Sequence, residues 1–262
     1  MFKKIAIFVP VHNESEKLAH TLERIPDVLN GSPTEIVVVD DGSTDGSADI
    51  ARKFTSHVVA LPENRGVGVA TRTGLMYIAE RGGYRFVIKF DADGQHNLEF
   101  LPAVENALHT CDAIVCSRFH PSSDQTYTPP DRILLNMLFV EMLRKITGWN
   151  LTDVRSGYMG FQFEDIRAFA SDIIVEQYGV PMELLLRLWR RRPDAFVYEI
   201  PHPAMYDRRI SSRLNAKYSS ETISHQADRL KMGYEALLSV IVDLEITKEH
   251  LLTINGFSKV GT

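Results

Sequence analysis

The sequence predicts an α/β fold: a mostly parallel sheet flanked by helices, with a helical C-terminal portion. Three observations carry that reading. Short β-branched runs alternate with stretches whose apolar residues recur at helical spacing, the pattern of strand–helix–strand units. Asp, Gly, Ser, Pro and Asn punctuate the runs where turns are needed. The 262 residues, 44% hydrophobic and 24% charged, are enough to bury a sizeable core without staples.

Residues 5–9 form the first strand, ending at Pro10. Residues 14–25 place Leu18, Leu22 and Ile25 on one face of a helix. Residues 36–39 are a second buried strand that breaks into "DDGSTDGS", with Thr44 positioned to cap a helix over 45–54. A third strand spans 58–61, and a helix over 67–79 ends at "RGGY". The fourth strand, 85–90, runs into "DADGQH"; residues 100–108 are helical and 113–116 form a fifth strand. "FHPSSDQTYTPPDR" is then a polar loop of a length usually tied to function or mobility. A helix over 132–146, a loop and strand in "GWNLTDVRSGYMGFQ", a helix over 182–191 and a strand over 196–200 follow. The basic loop "PHPAMYDRRISSR" leads to one or two amphipathic helices over 221–245. No repeat or low-complexity linker divides the chain. The expected organisation is a domain of residues 1–220 with a helical extension, 221–262, packed on it.

Composition narrows the function. A net charge of −5 argues against a general nucleic-acid binder. Cys111 and Cys116 lie in "CDAIVC", where a strand would put them on opposite faces; they read as reduced core residues of a reducing compartment. No uninterrupted apolar run reaches the roughly 18 residues of a membrane span. "MFKKIAIFVPV" mimics a secretion signal, but its apolar part is short and "HNESEK" replaces a cleavage site, so a buried first strand is expected. The expected location is cytoplasmic, at most peripheral at the inner membrane face.

Ligands of an open parallel sheet collect beyond the C-terminal strand ends. Three polar clusters fall there: "PVHNE", "DDGS" and "DADGQH". In "DADGQH", Asp91 and Asp93 are one residue apart, so an extended segment points both carboxylates the same way. Two hard oxygens suit Mg²⁺ or Mn²⁺, with a diphosphate filling other positions; Gln95 can add a carbonyl oxygen, and His96 is expected outside the first coordination shell. Gly66 and Gly68 begin a dinucleotide-like fingerprint, but the third glycine is missing and the motif follows the third strand. They are expected to permit close approach of a ligand or another backbone.

"IFVPVHNESEKL", "EIVVVDDGSTDGS", "ENRGVGVATRTG" and "FDADGQHNLEFLP" together resemble the family 2 glycosyltransferases of the GT-A fold. The likeness is greatest to polyprenol-phosphate (dolichol-phosphate) mannosyl- and glucosyltransferases. "CSRF", "DVRSGYMGF" and, weakly, "YDRRISSR" extend it into the second half. The resemblance implies that Pro10, His12, Glu14 and Asp41 line a nucleotide pocket, and that Asp91 meets the nucleotide sugar and metal. Asp93 and Gln95 would ligate the metal, Mg²⁺ or Mn²⁺. Arg118 and Arg132 match arginines near an acceptor phosphate, and Asn136 stands where those enzymes tend to carry serine. Arg208 or Arg209 would hold the donor diphosphate or the acceptor. Asp41 is also expected to recognise the base, since a carboxylate at a strand end can accept from a nucleobase N–H.

The implied reaction is inverting transfer of a hexose from a GDP- or UDP-sugar to a polyprenyl phosphate. A family 2 enzyme with a hydroxyl acceptor is the rival, and would need a base, Asp153 or Glu183. Both residues serve equally well as buried ion-pair partners. A nucleotidyltransferase or nucleotide-sugar-binding module is a further rival, although "VPVHNESEK" lacks the Gly-rich basic signature such enzymes carry. "RRRPD" reads as a solvated helix end, and Met232, Leu237, Leu238 and Val242 as core packing. If the acceptor lies in a bilayer, arginines 190–192 and the C-terminal helices are the expected contact surface.

Overall fold

The computed structural model describes residues 3–126, 128–205, 220–247 and 250. Its strands are β1 (Lys4–Val11), β2 (Val28–Leu29), β3 (Ser32–Asp40), β4 (Val58–Ala60), β5 (Tyr84–Lys89), β6 (Ala113–Ser117), β7 (Met159–Gln162) and β8 (Val197–Pro201). They join in one sheet of order β2-β3-β1-β5-β7-β6-β8, with β4 also on β3. β1 pairs in parallel with β3 and β5, and β6 with β8. β7 runs antiparallel between β5 and β6, so the sheet is mixed rather than uniformly parallel.

Alternation along the strands builds two cores. Ala6, Phe8, Val37, Val39 and Val87 face one layer; Ile5, Ile7, Val9, Val38, Phe86 and Ile88 face the other. The first layer holds α3 (Val67–Arg81), α5 (Pro130–Thr147), α6 (Phe163–Phe169), α7 (Val180–Arg191) and α8 (Ser220–Asp243). The second holds α1 (Ser15–Glu23), α2 (Ser47–Ala51) and α4 (Leu101–Ala107). β1 is buried from Ile5 to Val11, as expected of a first core strand. No helix among the described residues is long and apolar enough to cross a membrane.

Several local expectations need correction. α2 starts at Ser47 with Gly46 at its N-cap, and Thr44 does not cap it. Asp45 instead fixes the turn ahead of the helix, its carboxylate accepting from the amide and hydroxyl of Ser47. Cys111 precedes β6 rather than lying in it, so both cysteines reach the same core layer, as free buried thiols. The short strand β2 and the helix α6 were not foreseen. Leu237 is buried on α8 as expected, but Leu238 and Val242 are exposed, because the helix packs only one face. "RRRPD" is not simply solvated: Arg191 and Arg192 pair with Asp165, and Arg192 with Asp112. Arg208 and Arg209 lie outside the described residues.

Candidate active site

Because β1, β3 and β5 are parallel neighbours, their C-terminal ends open at one sheet edge. The three polar clusters meet there in one cleft, made of two adjoining cavities of about 290 and 270 Å³. Pro10, His12, Glu14 and Asp41 line the first, Arg118, Arg132 and Gln95 the second. Asp91 and Asp93 face both.

The floor of the first cavity is fixed by short-range bonds. His12 Nδ1 lies 2.7 Å from the carbonyl oxygen of Asp41, so this nitrogen carries the proton and donates. Nε2 then accepts from the side-chain amides of Asn64 and Asn13, at 2.9 and 3.1 Å. Burial raises the pKa of Glu14, with Lys17 opposing. Asp41 is buried, and its two oxygens accept from the amides of Arg65 and Gly66, both at 2.8 Å. Its carboxylate shapes the 64–66 loop while it lines the cavity. Gly66 and Gly68 do permit a close approach, and the partner is backbone. A Cβ on Gly68 would stand 2.0 Å from the carbonyl oxygen of Val175. Glu183, wholly buried, holds that facing segment through the amides of Ile174 and Val175, and also binds Arg187.

Asp91 is bound by Lys89, a residue the sequence reading passed over. Lys89 is buried in β5 and donates to Asp91 Oδ1 at 2.7 Å. Burial alone would raise the pKa of Asp91; Lys89 and His96 outweigh it and hold the carboxyl well below the usual range. On the other side, a Cβ at Gly157 would sit 1.9 Å from Asp91 Oδ2, so only glycine leaves that oxygen its place. Asp93 Oδ1 accepts from the amide of Gln95, and Lys17 bonds the carbonyl of Asp93. His202, wholly buried at the end of β8, anchors the same loop by accepting from the amide of Asn97 at 2.9 Å. Burial first, then His96 and Arg118, lower its pKa to about 4, so the ring is neutral at pH 7.

The carboxylates fit a hard divalent cation. No group of three or more His, Cys, Asp or Glu residues assembles among the described residues. Mg²⁺ or Mn²⁺ at Asp91 and Asp93 would therefore complete its shell with water and phosphate oxygens, a common habit of such ions.

The second cavity is cationic. Arg118 grips Asp153, which is wholly buried, through Nε at 2.7 Å and a terminal nitrogen at 3.1 Å. Glu199 accepts from the amides of Thr152 and Asp153, and Asn136 Nδ2 donates to the carbonyl of Thr152 at 2.6 Å. Asn136 thus pins the loop before β7. Arg155, Tyr178 and Arg229 complete the wall; none was singled out from the sequence. Arg155 sits in the quoted "DVRSGYMGF", but nothing in a loop arginine shows where its side chain goes.

Comparison with known proteins agrees with this geometry. A crystal structure of glucosyl-3-phosphoglycerate synthase from Mycobacterium tuberculosis, in complex with Mn²⁺, UDP and glucosyl-3-phosphoglycerate, superposes with a TM-score of 0.63 at 17% identity. It covers 94% of this chain and 81% of that one, and so shows the shared GT-A fold. An undecaprenyl-phosphate mannosyltransferase of Micrococcus luteus is 32% identical over 193 residues, 71% of this chain and 78% of the relative. A polyprenol monophosphomannose synthase of Mycolicibacterium smegmatis is 27% identical over 207 residues, 76% of each chain. Residues 6–169 match the family described as glycosyl transferase family 2, and with the strand-end clusters and paired aspartates in place, the chain belongs to that family.

Proposed function

We propose that the enzyme transfers a hexose, with inversion, from a nucleoside-diphosphate sugar to a polyprenyl phosphate. The observation that carries this reading is the arginine-lined cavity set directly against Asp91 and Asp93. The relatives from Micrococcus luteus and Mycolicibacterium smegmatis, named for undecaprenyl and polyprenol phosphate, support it.

The nucleotide lies in the first cavity, over Pro10, His12 and Glu14, in a loop framework braced by Asp41. Its diphosphate reaches Asp91, Asp93 and Gln95. A divalent ion held there supplies Lewis-acid neutralisation of the departing diphosphate; the neighbour solved with Mn²⁺ and UDP supports its presence. Arg208 or Arg209 adds a second positive charge on the donor or acceptor side. Arg118 and Arg132 hold the acceptor phosphate, a planar fork on each matching two oxygens. A phosphate monoester is already anionic near neutral pH, because its second pKa is near 6. It needs no general base. Asp153 and Glu183, the bases a hydroxyl acceptor would require, are each wholly buried and committed to an arginine and to backbone amides. That commitment favours the phosphate.

A lipid acceptor places the enzyme at a bilayer surface. Arg191 and Arg192 are engaged in ion pairs, which weakens their claim to be the contact. α5 offers a better one: Leu134, Met137 and Leu138 are 67%, 61% and 45% exposed on the helix that carries Arg132 and Asn136 into the cavity.

The test is to incubate the enzyme with radiolabelled GDP- and UDP-hexoses, undecaprenyl phosphate and Mn²⁺ or Mg²⁺. The expected product is a labelled, acid-labile glycolipid, lost with chelator and reduced by orders of magnitude in Asp93→Ala. Transfer only to soluble hydroxyl acceptors would overturn the reading.

A further inference from the structure

Four arginines converge on the second cavity: Arg118, Arg132, Arg155 and Arg229. Two carboxylates, Asp91 and Asp93, share its lining. Arg118 is oriented by Asp153, and Arg132 comes from the first turn of α5.

Arg155 occupies the junction. It lines both cavities, as do Asp91, Asp93, Gly157 and Tyr178. Its amide donates to Asp153 Oδ1 at 3.0 Å, and its guanidinium lies over the Phe139 ring, 5.3 Å from the centroid. Its Nε is buried with no hydrogen-bond partner. Burial, then Arg132, Arg118 and Arg229, lower its pKa to about 10, which still leaves it charged at pH 7. A charged, stacked group with an unanswered donor at the seam of two substrate cavities is arranged for an anion that arrives later.

Arg229 comes from far along the chain. α8 packs tightly enough to place it: a Cβ on Gly233 would stand 2.5 Å from the ring of Phe139, and one on Gly179 would stand 2.4 Å from Ala236. Arg187 of α7 binds Asp243 of α8 at 2.8 Å. The same Phe139 therefore supports Arg155 from one side and α8 from another.

We propose that Arg155 and Arg229 complete the acceptor-phosphate site. Arg155 holds the phosphate at the face where it meets the sugar, and Arg229 makes the C-terminal helix a working wall of that site. The inference rests on the phosphate-acceptor reading above. The site takes a phosphate monoester as its dianion, whose charge offsets the excess of guanidinium over carboxylate groups.

The test uses Arg155→Met, Arg155→Lys and Arg229→Met in the full chain, with farnesyl phosphate and inorganic phosphate as probes. Steady-state kinetics with farnesyl phosphate should show acceptor KM raised at least tenfold in both Met variants, with donor KM within twofold of wild type. Arg155→Lys should recover part of the loss, because it keeps charge but not the stacked fork. Farnesyl phosphate should raise the melting temperature of wild type but not of the Met variants, and should slow amide exchange in α8 of wild type only. Acceptor KM unchanged in folded Met variants would overturn the inference while leaving the acceptor reading intact. If wild type neither uses nor is stabilised by farnesyl phosphate, the acceptor reading fails. Inorganic phosphate then decides the site: stabilisation of wild type that both Met variants lose supports it, and equal responses overturn it.

Discussion

Lys89 donates to Asp91 at 2.7 Å from the last position of β5, after the buried apolar run of Phe86, Val87 and Ile88. Between this ammonium and the bare Cα of Gly157, the carboxylate of Asp91 has a single place to stand. Gly157→Ala should push Asp91 out of it. A displacement near 1 Å at a reacting centre costs about a hundredfold in rate, so turnover should fall by about that factor while circular dichroism stays native. Lys89→Met, of similar length, should act in the same direction. A fully active Gly157→Ala enzyme would show that the position of Asp91 is unimportant.

Much of this site was legible because strand ends are legible. β-branched runs break at "PVHNE", "DDGS" and "DADGQH", and parallel pairing brings such breaks to one edge. The identity of the neighbours was not legible. Nothing local to residues 159–162 indicates that β7 inserts antiparallel between β5 and β6, yet that insertion sets Gly157 against Asp91 and brings Arg155 into the cleft. Lys89 did leave a signal, a lysine inside a buried strand, which requires a charged partner. Arg229 left none: its place depends on how α8 packs on Phe139, a contact between distant segments. Asp41 was found from its strand-end position, but its bonds to the 64–66 loop depend on a segment more than twenty residues away.

Asp41 should behave as a brace. Asp41→Ala leaves the amide of Arg65 without its acceptor and that of Gly66 with only Asn64 Oδ1, and a buried group left unsatisfied costs about 1–3 kcal/mol. Thermal stability should drop accordingly. Donor affinity, measured by calorimetry at a temperature where the variant is folded, should weaken for GDP- and UDP-sugars alike, since a disordered loop does not distinguish bases. A loss confined to one nucleobase would restore the base-contact role.

Glu35 sets an acid limit on stability. It binds Lys4, Arg81 and Tyr84. Burial would raise its pKa, but these partners and His57 prevail and lower it from 4.5 to about 2. The folded state therefore holds the proton less tightly than the unfolded chain. The stabilisation is present above about pH 4.5 and is lost as pH falls toward 2. Lys4 and Arg81 are half exposed, so solvent screening keeps the contribution to roughly 1–3 kcal/mol. Glu35→Gln should lower the denaturant midpoint at pH 7, and the difference from wild type should shrink as pH drops below about 4. A difference independent of pH would mean that packing, not charge, accounts for the loss.

Arg118 and Asp153 separate the two acceptor chemistries most directly. A hydroxyl acceptor would make Asp153 the essential base and Arg118 its attendant. A phosphate acceptor reverses the roles: Asp153 only aims Arg118, as its burial and two-pronged contact imply. Arg118→Lys keeps the charge but loses the fork, so acceptor KM should rise while donor binding survives. Asp153→Asn is not innocuous in either case. It weakens a buried ion pair and disturbs the amides of Arg118 and Arg155, at a stability cost of about 3 kcal/mol. The discriminating quantity is how the loss divides between kcat and KM. If Asp153 positions Arg118, its Asn variant should raise acceptor KM as Arg118→Lys does, and the double variant should cost little beyond the larger single effect. If Asp153 is the base, kcat should collapse in Asp153→Asn alone, with Arg118→Lys nearly silent.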